Sequence, residues 1–405
     1  MGIVGVEVAP PEEAGSEATS FRPSMLVVGI GGGGGNAVSH MSRSNIDSVK
    51  TLCINTDAQA LNKCQADVKV QIGSKMTGGL GCGADPTKGK AAAEEDIDKI
   101  RDALMGNHIV FLTAGEGGGT GTGGAPVVAQ VAKELGILSI AIVTKPFSYE
   151  GKRRAEHAEQ GIKELAQYAD TLIVIPNDKL LKVLGKKVTV LNAFAEANDV
   201  LLKAVKGISG SLLNDGEINL DFNDLKRIME NGGNAIIGIG VGTGADRAQD
   251  AVQQAIVCPL LDDVDLKGAR SVFLNVEAPT NITTDELELI NKTVQDYADA
   301  DAEIISGIAY TSSPNDEISI SQDTDDEVPS GEIRVTVIAT GVSRRGENPS
   351  VQPKVLEPNS TVIDIDATEM IGDEAPFFQD SVSSGFGSHA EQSLDTPTFL
   401  RKQAD

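Results

Sequence analysis

The chain has 405 residues, with 59 acidic against 34 basic side chains and a formal net charge of −25, a length that predicts two to three domains and a sizeable core. Such an acidic balance excludes direct nucleic-acid binding and unaided docking on anionic lipid, because phosphate contacts need clustered cations. The four cysteines, Cys53, Cys64, Cys82 and Cys258, are too scattered for a disulfide framework or a zinc pair and point to a reducing compartment.

Residues 1–22 read as a disordered acidic arm around Pro10-Pro11. Glu7, Glu12, Glu13 and Glu17 stand where a signal peptide would carry cations, and no apolar run reaches the roughly 18 residues of a membrane span, so no direct membrane insertion is expected. From 23 to 187, apolar runs at 25–30, 51–55, 68–72, 109–114, 137–143 and 171–175 predict strands that alternate with helices. That alternation predicts a Rossmann-like, mostly parallel sheet covered on both faces, with ligands at the carboxyl ends of its strands.

Two of these strands lead into glycine runs. Met25 to Ile30 meets Gly31-Gly32-Gly33-Gly34-Gly35-Asn36, and Ile109 to Leu112 meets Ala114 to Gly124, followed by a helical pattern over 127–135. Glycine lets backbone N–H groups approach an anion, and a helix N-terminus adds partial positive charge, so a phosphate is the natural occupant of such a turn. Read alone, Gly29, Gly31 and Gly34 satisfy a dinucleotide fingerprint, with Asp57 about 20 residues on as a ribose-binding acid. An NAD-dependent oxidoreductase is therefore one reading. A second phosphate cradle in the same sheet favours a nucleoside triphosphate instead, although the Walker pattern is absent.

A long helix over 188–213 forms a spine, and 214–342 reads as a second domain, an α/β sandwich. Its expected helices lie at 222–230, 246–257 and 284–298, and its strands at 235–240, 270–276, 304–310 and 332–340. Residues 343–392, rich in Ser, Pro, Gly and acids, read as a flexible linker. The tail 393–405 differs: Pro397, Phe399 and Leu400 followed by Arg401-Lys402 make a short apolar anchor suited to a partner's groove. The acidic run 323–327 reads as a solvated loop, and His40, His108, His157 and His389 as scattered residues without a catalytic role.

The run Gly117 to Gly123, together with Gly32 to Asn36 and Asn219-Leu220-Asp221-Phe222, resembles the tubulin/FtsZ superfamily of GTPases over about residues 24–342 and again at the extreme C-terminus. The resemblance implies GTP/GDP as ligand, with Gly32, Gly33, Gly34, Gly35 and Asn36 at the phosphates and ribose side. Gly119, Thr120 and Gly121 would surround the β- and γ-phosphates, and the glycine-dense loop 78–86 would sense the γ-phosphate. It also implies Glu150 at the ribose, Arg154 near the phosphates, Asn177 in the same site, and Asn198 at the guanine edge with Phe194 stacking and Asp199 beside it. Cys82, Asp85 and Glu116 depart from the family pattern, and a carboxylate beside a phosphate loop should point away or meet a cation.

Read locally, Asp221 is an N-cap and Asp224 completes a near capping box. The resemblance instead implies that Asn219, Asp221 and Asp224 reach the nucleotide of the next subunit in a head-to-tail homopolymer, where Asp221 and Asp224 orient or polarise the attacking water and hold a cation and Asn219 helps position the γ-phosphate region. Mg²⁺ would be held mainly by phosphates and water, with no protein metal ligand predicted. Leu394 to Lys402 would bind membrane-tethering and regulatory division proteins, with Thr396 smaller than usual for the family. A non-hydrolysing structural paralogue is the remaining alternative, disfavoured by the presence of Asn219, Asp221 and Asp224.

Overall fold

In the computed structural model, residues 22–44, 46, 49–184, 188–213, 220–230, 232–258, 260, 268–311 and 331–342 are described. The expected arm before Arg22, the acidic run 323–327, the linker, the tail peptide and Asn219 lie outside these residues. The strands are β1 Met25–Ile30, β2 Lys50–Asn55, β3 Val68–Gln71, β4 Ile109–Gly115, β5 Leu138–Lys145, β6 Thr171–Pro176, β7 Gly233–Gly242, β8 Ser271–Ala278, β9 Glu303–Tyr310 and β10 Ile333–Thr340. The helices are α1 Gly31–Arg43, α2 Ala58–Lys63, α3 Ser74–Thr77, α4 Pro86–Glu95, α5 Ile97–Leu104, α6 Thr120–Glu134, α7 Lys152–Leu165, α8 Asn177–Leu184, α9 Val190–Leu213, α10 Phe222–Met229, α11 Arg247–Ile256 and α12 Thr284–Tyr297.

All ten strands form one sheet in the order β3-β2-β1-β4-β5-β6-β7-β10-β8-β9. From β3 to β6 every pairing is parallel, as expected for runs buried on both faces. The sheet continues past β6 because Thr171–Ile173 pairs in parallel with Gly233–Ala235. Beyond that seam β10 runs antiparallel to both β7 and β8.

Alternation along β1 explains the layers. Met25 and Val27 enter a core shared with Ala37 and Val38 of α1 and Leu201, Val205 and Ile208 of α9. Leu26, Val28 and Ile30 enter the opposite core, with Ala125, Val128 and Val131 of α6. A third core joins α11 and α12 to β7, β8 and β10. The spine helix α9 thus buries its apolar stripe against the same face of the sheet as α1.

The helix after the second glycine run starts earlier than the helical pattern at 127–135. α1 begins at Gly31, inside the run, where a φ of +72° makes the turn off β1. α6 takes in Thr120 to Gly124 because those residues pack against α4: a Cβ at Gly123 would lie 2.0 Å from the Pro86 carbonyl oxygen and 2.5 Å from the Lys90 nitrogen.

Candidate nucleotide site

Strand order reverses between β1 and β4, and ligands of open α/β sheets bind at the carboxyl ends of the strands beside such a point. A cavity of about 510 Å³ lies there. Two helix N-termini open onto it, α1 through Gly32, Gly33 and Asn36, and α6 through Gly118, Gly119, Thr120 and Gly121. Neither first turn contains an acid, and neither N-cap supplies a side-chain hydrogen bond. Their leading N–H groups are therefore left to an external acceptor, and two converging positive helix ends suit a polyphosphate. The backbones nearly touch here, since a Cβ at Gly31 would lie 2.8 Å from the Gly121 nitrogen.

Gly34 and Gly35, expected among the phosphate contacts, are buried and do not line the cavity. A Cβ at Gly34 would lie 2.4 Å from the Thr113 carbonyl oxygen, and one at Gly35 3.1 Å from Cys53 Sγ. Their position calls for the absence of a side chain so that α1 can lie against β1, β2 and β4.

The opposite wall comes from β5, α7, α8 and α9. Glu150, Arg154, Asn177, Phe194 and Asn198 all line it, so the structure gathers these sequence-distant residues around one space. The Glu150 carboxylate accepts from the Phe147 N–H at 2.9 Å and pairs with Arg154. Asn177 is buried at the start of α8, and its Oδ1 has no hydrogen-bond partner among the described residues. Phe194 stands edge-on to Phe147 at 5.1 Å and remains 40% exposed, leaving ring surface available to a planar ligand. Asp199 does not line the cavity; it binds Lys203 at 2.7 Å and approaches His40 at 3.6 Å. Burial works against its charge, yet these two partners hold its carboxyl below the usual range.

The departures from the family pattern each have a local explanation. Asp85 caps α4, accepting from the Thr87 N–H at 3.0 Å and hydroxyl at 2.6 Å; the hydroxyl contact holds its carboxyl low. Cys82 is buried with its sulfur 3.4 Å from Thr56 Oγ1 and 3.6 Å from Thr120 Oγ1. Glu116 turns its carboxylate into the interior, where neither oxygen has a hydrogen-bond partner among the described residues. Burial pushes it up to about 7; the Thr122 hydroxyl acts the other way without making a bond of good geometry.

Sequence reasoning did not single out Asn55, Ala60, Thr144 or Pro146 as lining residues. Their position at the carboxyl ends of β2 and β5, just after β5 or in the first turn of α2 was the available signal. Asp57, the ribose acid of the dinucleotide reading, is committed to capping α2, accepting from Gln59 and Ala60 N–H groups at 2.8 and 3.0 Å. Asp221 and Asp224 lie at the N-terminus of α10 and do not line the cavity. Asp221 accepts from the Asp224 N–H at 2.8 Å, and Asp224 contacts Arg227 at 3.4 Å. Among the described residues no cluster of His, Cys, Asp or Glu could hold a metal ion, and no helix is long and apolar enough to cross a membrane.

A parallel sheet with two glycine-rich helix ends converging at its switch point defines a nucleotide-binding protein. Residues 24–185 match the tubulin/FtsZ family GTPase domain, and residues 233–343 match the FtsZ family C-terminal domain. The chain is 45% identical over 392 residues to the cell division protein FtsZ of Coxiella burnetii, covering 95% of this chain and 98% of that one. A solved FtsZ variant from M. jannaschii superposes with a TM-score of 0.72 at 41% identity, covering 79% of this chain and 92% of the other. An empty FtsZ dimer from the same organism gives 0.72 at 38% identity, covering 83% and 96%. The chain belongs to the FtsZ family, and the oxidoreductase reading is set aside.

Proposed function

We propose that this chain is a GTP-hydrolysing cytoskeletal protein that assembles head to tail into filaments of the bacterial division ring. The observation that carries the nucleotide reading is the pair of uncapped helix N-termini, α1 and α6, opening onto one cavity. The phosphates would accept N–H donors from Gly32, Gly33, Gly119 and Gly121 and a hydroxyl from Thr120. The free Oδ1 of Asn177 would accept a ribose hydroxyl, Glu150 would do the same while orienting Arg154 toward the phosphates, and Asn36 would lie on the sugar side. Phe194 would stack on the base, and Asn198 would accept the N1–H or N2–H₂ donors that distinguish guanine from adenine. Gly34 and Gly35 would act indirectly by letting α1 seat. Mg²⁺, which supplies charge neutralisation of the phosphates, would be held through phosphate oxygens and water.

Among the described residues that line the cavity, Asp57 is held as the cap of α2 and Glu116 is buried, whereas Asp221 and Asp224 sit at the N-terminus of α10, away from the chain's own cavity. A site at one end of the subunit and an acidic loop at the other define a heterologous contact that propagates without closing. In that arrangement Asp221 and Asp224 would orient the attacking water on the neighbour's nucleotide and Asn219 would help position the γ-phosphate region. The dimer formed by the related M. jannaschii FtsZ supports self-association. The tail from Leu394 to Lys402 would recruit membrane-tethering and regulatory division proteins, placing the filament at the mid-cell division site on the cytoplasmic face.

GTP turnover and NAD binding, each measured against protein concentration, test this reading. Specific GTPase activity should rise steeply above a critical concentration and stay near zero below it. Turnover per subunit independent of concentration would sink the shared site, and NAD binding in place of GTP would sink the nucleotide assignment.

A further inference from the structure

Glu116 stands in the phosphate-facing loop, yet its carboxyl group lies in the seam between α6 and α7. A Cβ at Gly161 of α7 would be 2.6 Å from Glu116 Oε2, 2.3 Å from the Thr122 side chain and 3.4 Å from the Thr122 carbonyl oxygen. The carboxylate and that carbonyl therefore both lie beneath the same turn of α7. In an α-helix the carbonyl of residue 122 accepts from the N–H of residue 126, and residue 126 is Pro126, which has none. Two acceptors thus share a seam from which water is excluded. Leaving both unmade is costly, whereas one proton on the carboxyl provides the missing donor.

The surrounding groups do not neutralise a carboxylate. The Thr122 hydroxyl accepts from the Gly117 N–H at 2.8 Å, and its own proton offsets the burial of the Glu116 carboxyl only in part. On α7, Arg154 pairs with Glu150, Glu159 with Lys145 at the end of β5, and Glu164 with Lys90 of α4, while His157 is half-buried. The first turn of α6 contains no charge. Among the described residues no charged side chain influences Glu116, whose carboxyl is pushed up to about 7 by burial.

We propose, on the nucleotide reading above, that phosphate binding in this chain is coupled to proton uptake at Glu116, with the carboxyl O–H donated to the carbonyl oxygen of Thr122. The proton comes from solvent and no other bond changes. The coupling follows from position: Gly115 and Gly118 to Gly121, on either side of Glu116, line the cavity, so phosphates docked there would meet a like charge across little water. Binding therefore favours the neutral acid and raises its affinity for the proton further. Nucleotide affinity is highest at pH values where the carboxyl is already neutral in the free protein. It falls as pH rises through the free value and stops falling above the bound one.

Calorimetry of GDP binding to the full chain, in buffers of different ionisation enthalpy at pH 7.5, counts the protons taken up. Wild type should take up a fraction of a proton more than Glu116→Gln, and its affinity should fall on the order of tenfold more than the variant's between pH 6.5 and 8.5. Titration of GDP itself is common to both proteins and cancels. Glu116→Met, which removes the carboxyl while keeping an unbranched chain, should behave as the Gln variant does and serves if that variant does not fold. Equal proton counts and parallel pH profiles in wild type and variant would overturn the proposal. Absence of any GDP binding by wild type would overturn the nucleotide reading and this coupling with it, and is distinguished by the lack of binding heat.

Discussion

The hydroxyl oxygens of Thr56 and Thr120 lie 2.7 Å apart, both buried, and tie the residue after β2 to the first residue of α6. Either can donate, so Thr120 can turn its proton toward a phosphate while accepting from Thr56. Thr56→Val should remove the anchor at a cost of about 1 kcal/mol in stability and weaken GDP binding several-fold. Thr120→Val should weaken it more, because the donor itself is lost. Fluorescent-nucleotide titration together with urea unfolding checks both, and an unaltered affinity in Thr120→Val would contradict the phosphate placement.

Asp221 and Asp224 should separate in their effects although they are three residues apart. The Asp221 carboxylate caps α10, so Asp221→Ala should destabilise the fold by about 1 kcal/mol as well as slowing hydrolysis. Asp224 contacts Arg227 on an exposed surface, and Arg227 keeps a second partner, Glu303, at 2.5 Å. Asp224→Ala should therefore leave thermal stability and GDP affinity near wild type while reducing steady-state GTP turnover on the order of 10²-fold. Weak nucleotide affinity with normal turnover at saturation would show that the residue serves its own cavity.

Arg247 has no solvent exposure and binds Glu286 through Nε at 2.7 Å and Nη2 at 3.0 Å, with further contacts to Asn281 and the Gly331 carbonyl. Arg247→Met removes the charge partner of Glu286, whose carboxylate keeps the Thr283 N–H at 2.9 Å, and should cost about 1–3 kcal/mol in urea unfolding. The Arg247 hydrogen bond holds the Glu286 carboxyl below its usual value. That contribution is fully present above the unfolded carboxyl value and disappears as pH falls through the lower folded one. Wild-type stability should therefore decline on acidification below about pH 4 more steeply than that of the variant, which no longer has the pair to lose.

The parallel sheet was legible because its strands are apolar runs bounded by loop residues, and 109–114 and 171–175 fall inside β4 and β6. Glu150, Asn177, Phe194 and Asn198 could be gathered into a site only through family resemblance, since each looks like an ordinary surface or capping residue until the sheet brings the strand ends together. The glycines were harder to sort. Gly119 and Gly123 belong to one motif, yet Gly119 lines the cavity while Gly123 lets α6 rest on Pro86 and Lys90 of α4. Composition cannot tell a glycine that admits a ligand from one that admits a helix. The inward turn of Glu116 was foreseeable from repulsion by phosphate, but its seat beneath α7 depends on Gly161, far from it in sequence.

Gly32 and Gly34 offer a direct test of that distinction. A Cβ at Gly34 would lie 2.4 Å from the Thr113 carbonyl oxygen and 2.8 Å from the Gly29 carbonyl carbon, backbone atoms of two paired strands that cannot yield. Gly34→Ala should therefore cost about 3 kcal/mol or more and lose nucleotide binding only as a consequence of misfolding. A Cβ at Gly32 meets nothing within 4 Å, and Gly32 lines the cavity at the start of α1. Gly32→Ala should keep or slightly raise the melting temperature, since alanine favours the helix by up to about 1 kcal/mol. Its methyl group would stand where a phosphate approaches the α1 N–H groups, so GDP affinity should weaken on the order of tenfold. Thermal melts with and without GDP separate the two variants: the ligand-induced rise in melting temperature should shrink in Gly32→Ala, whereas Gly34→Ala should melt early in its absence. A Gly32→Ala protein stabilised by GDP as strongly as wild type would remove the α1 terminus from the phosphate site.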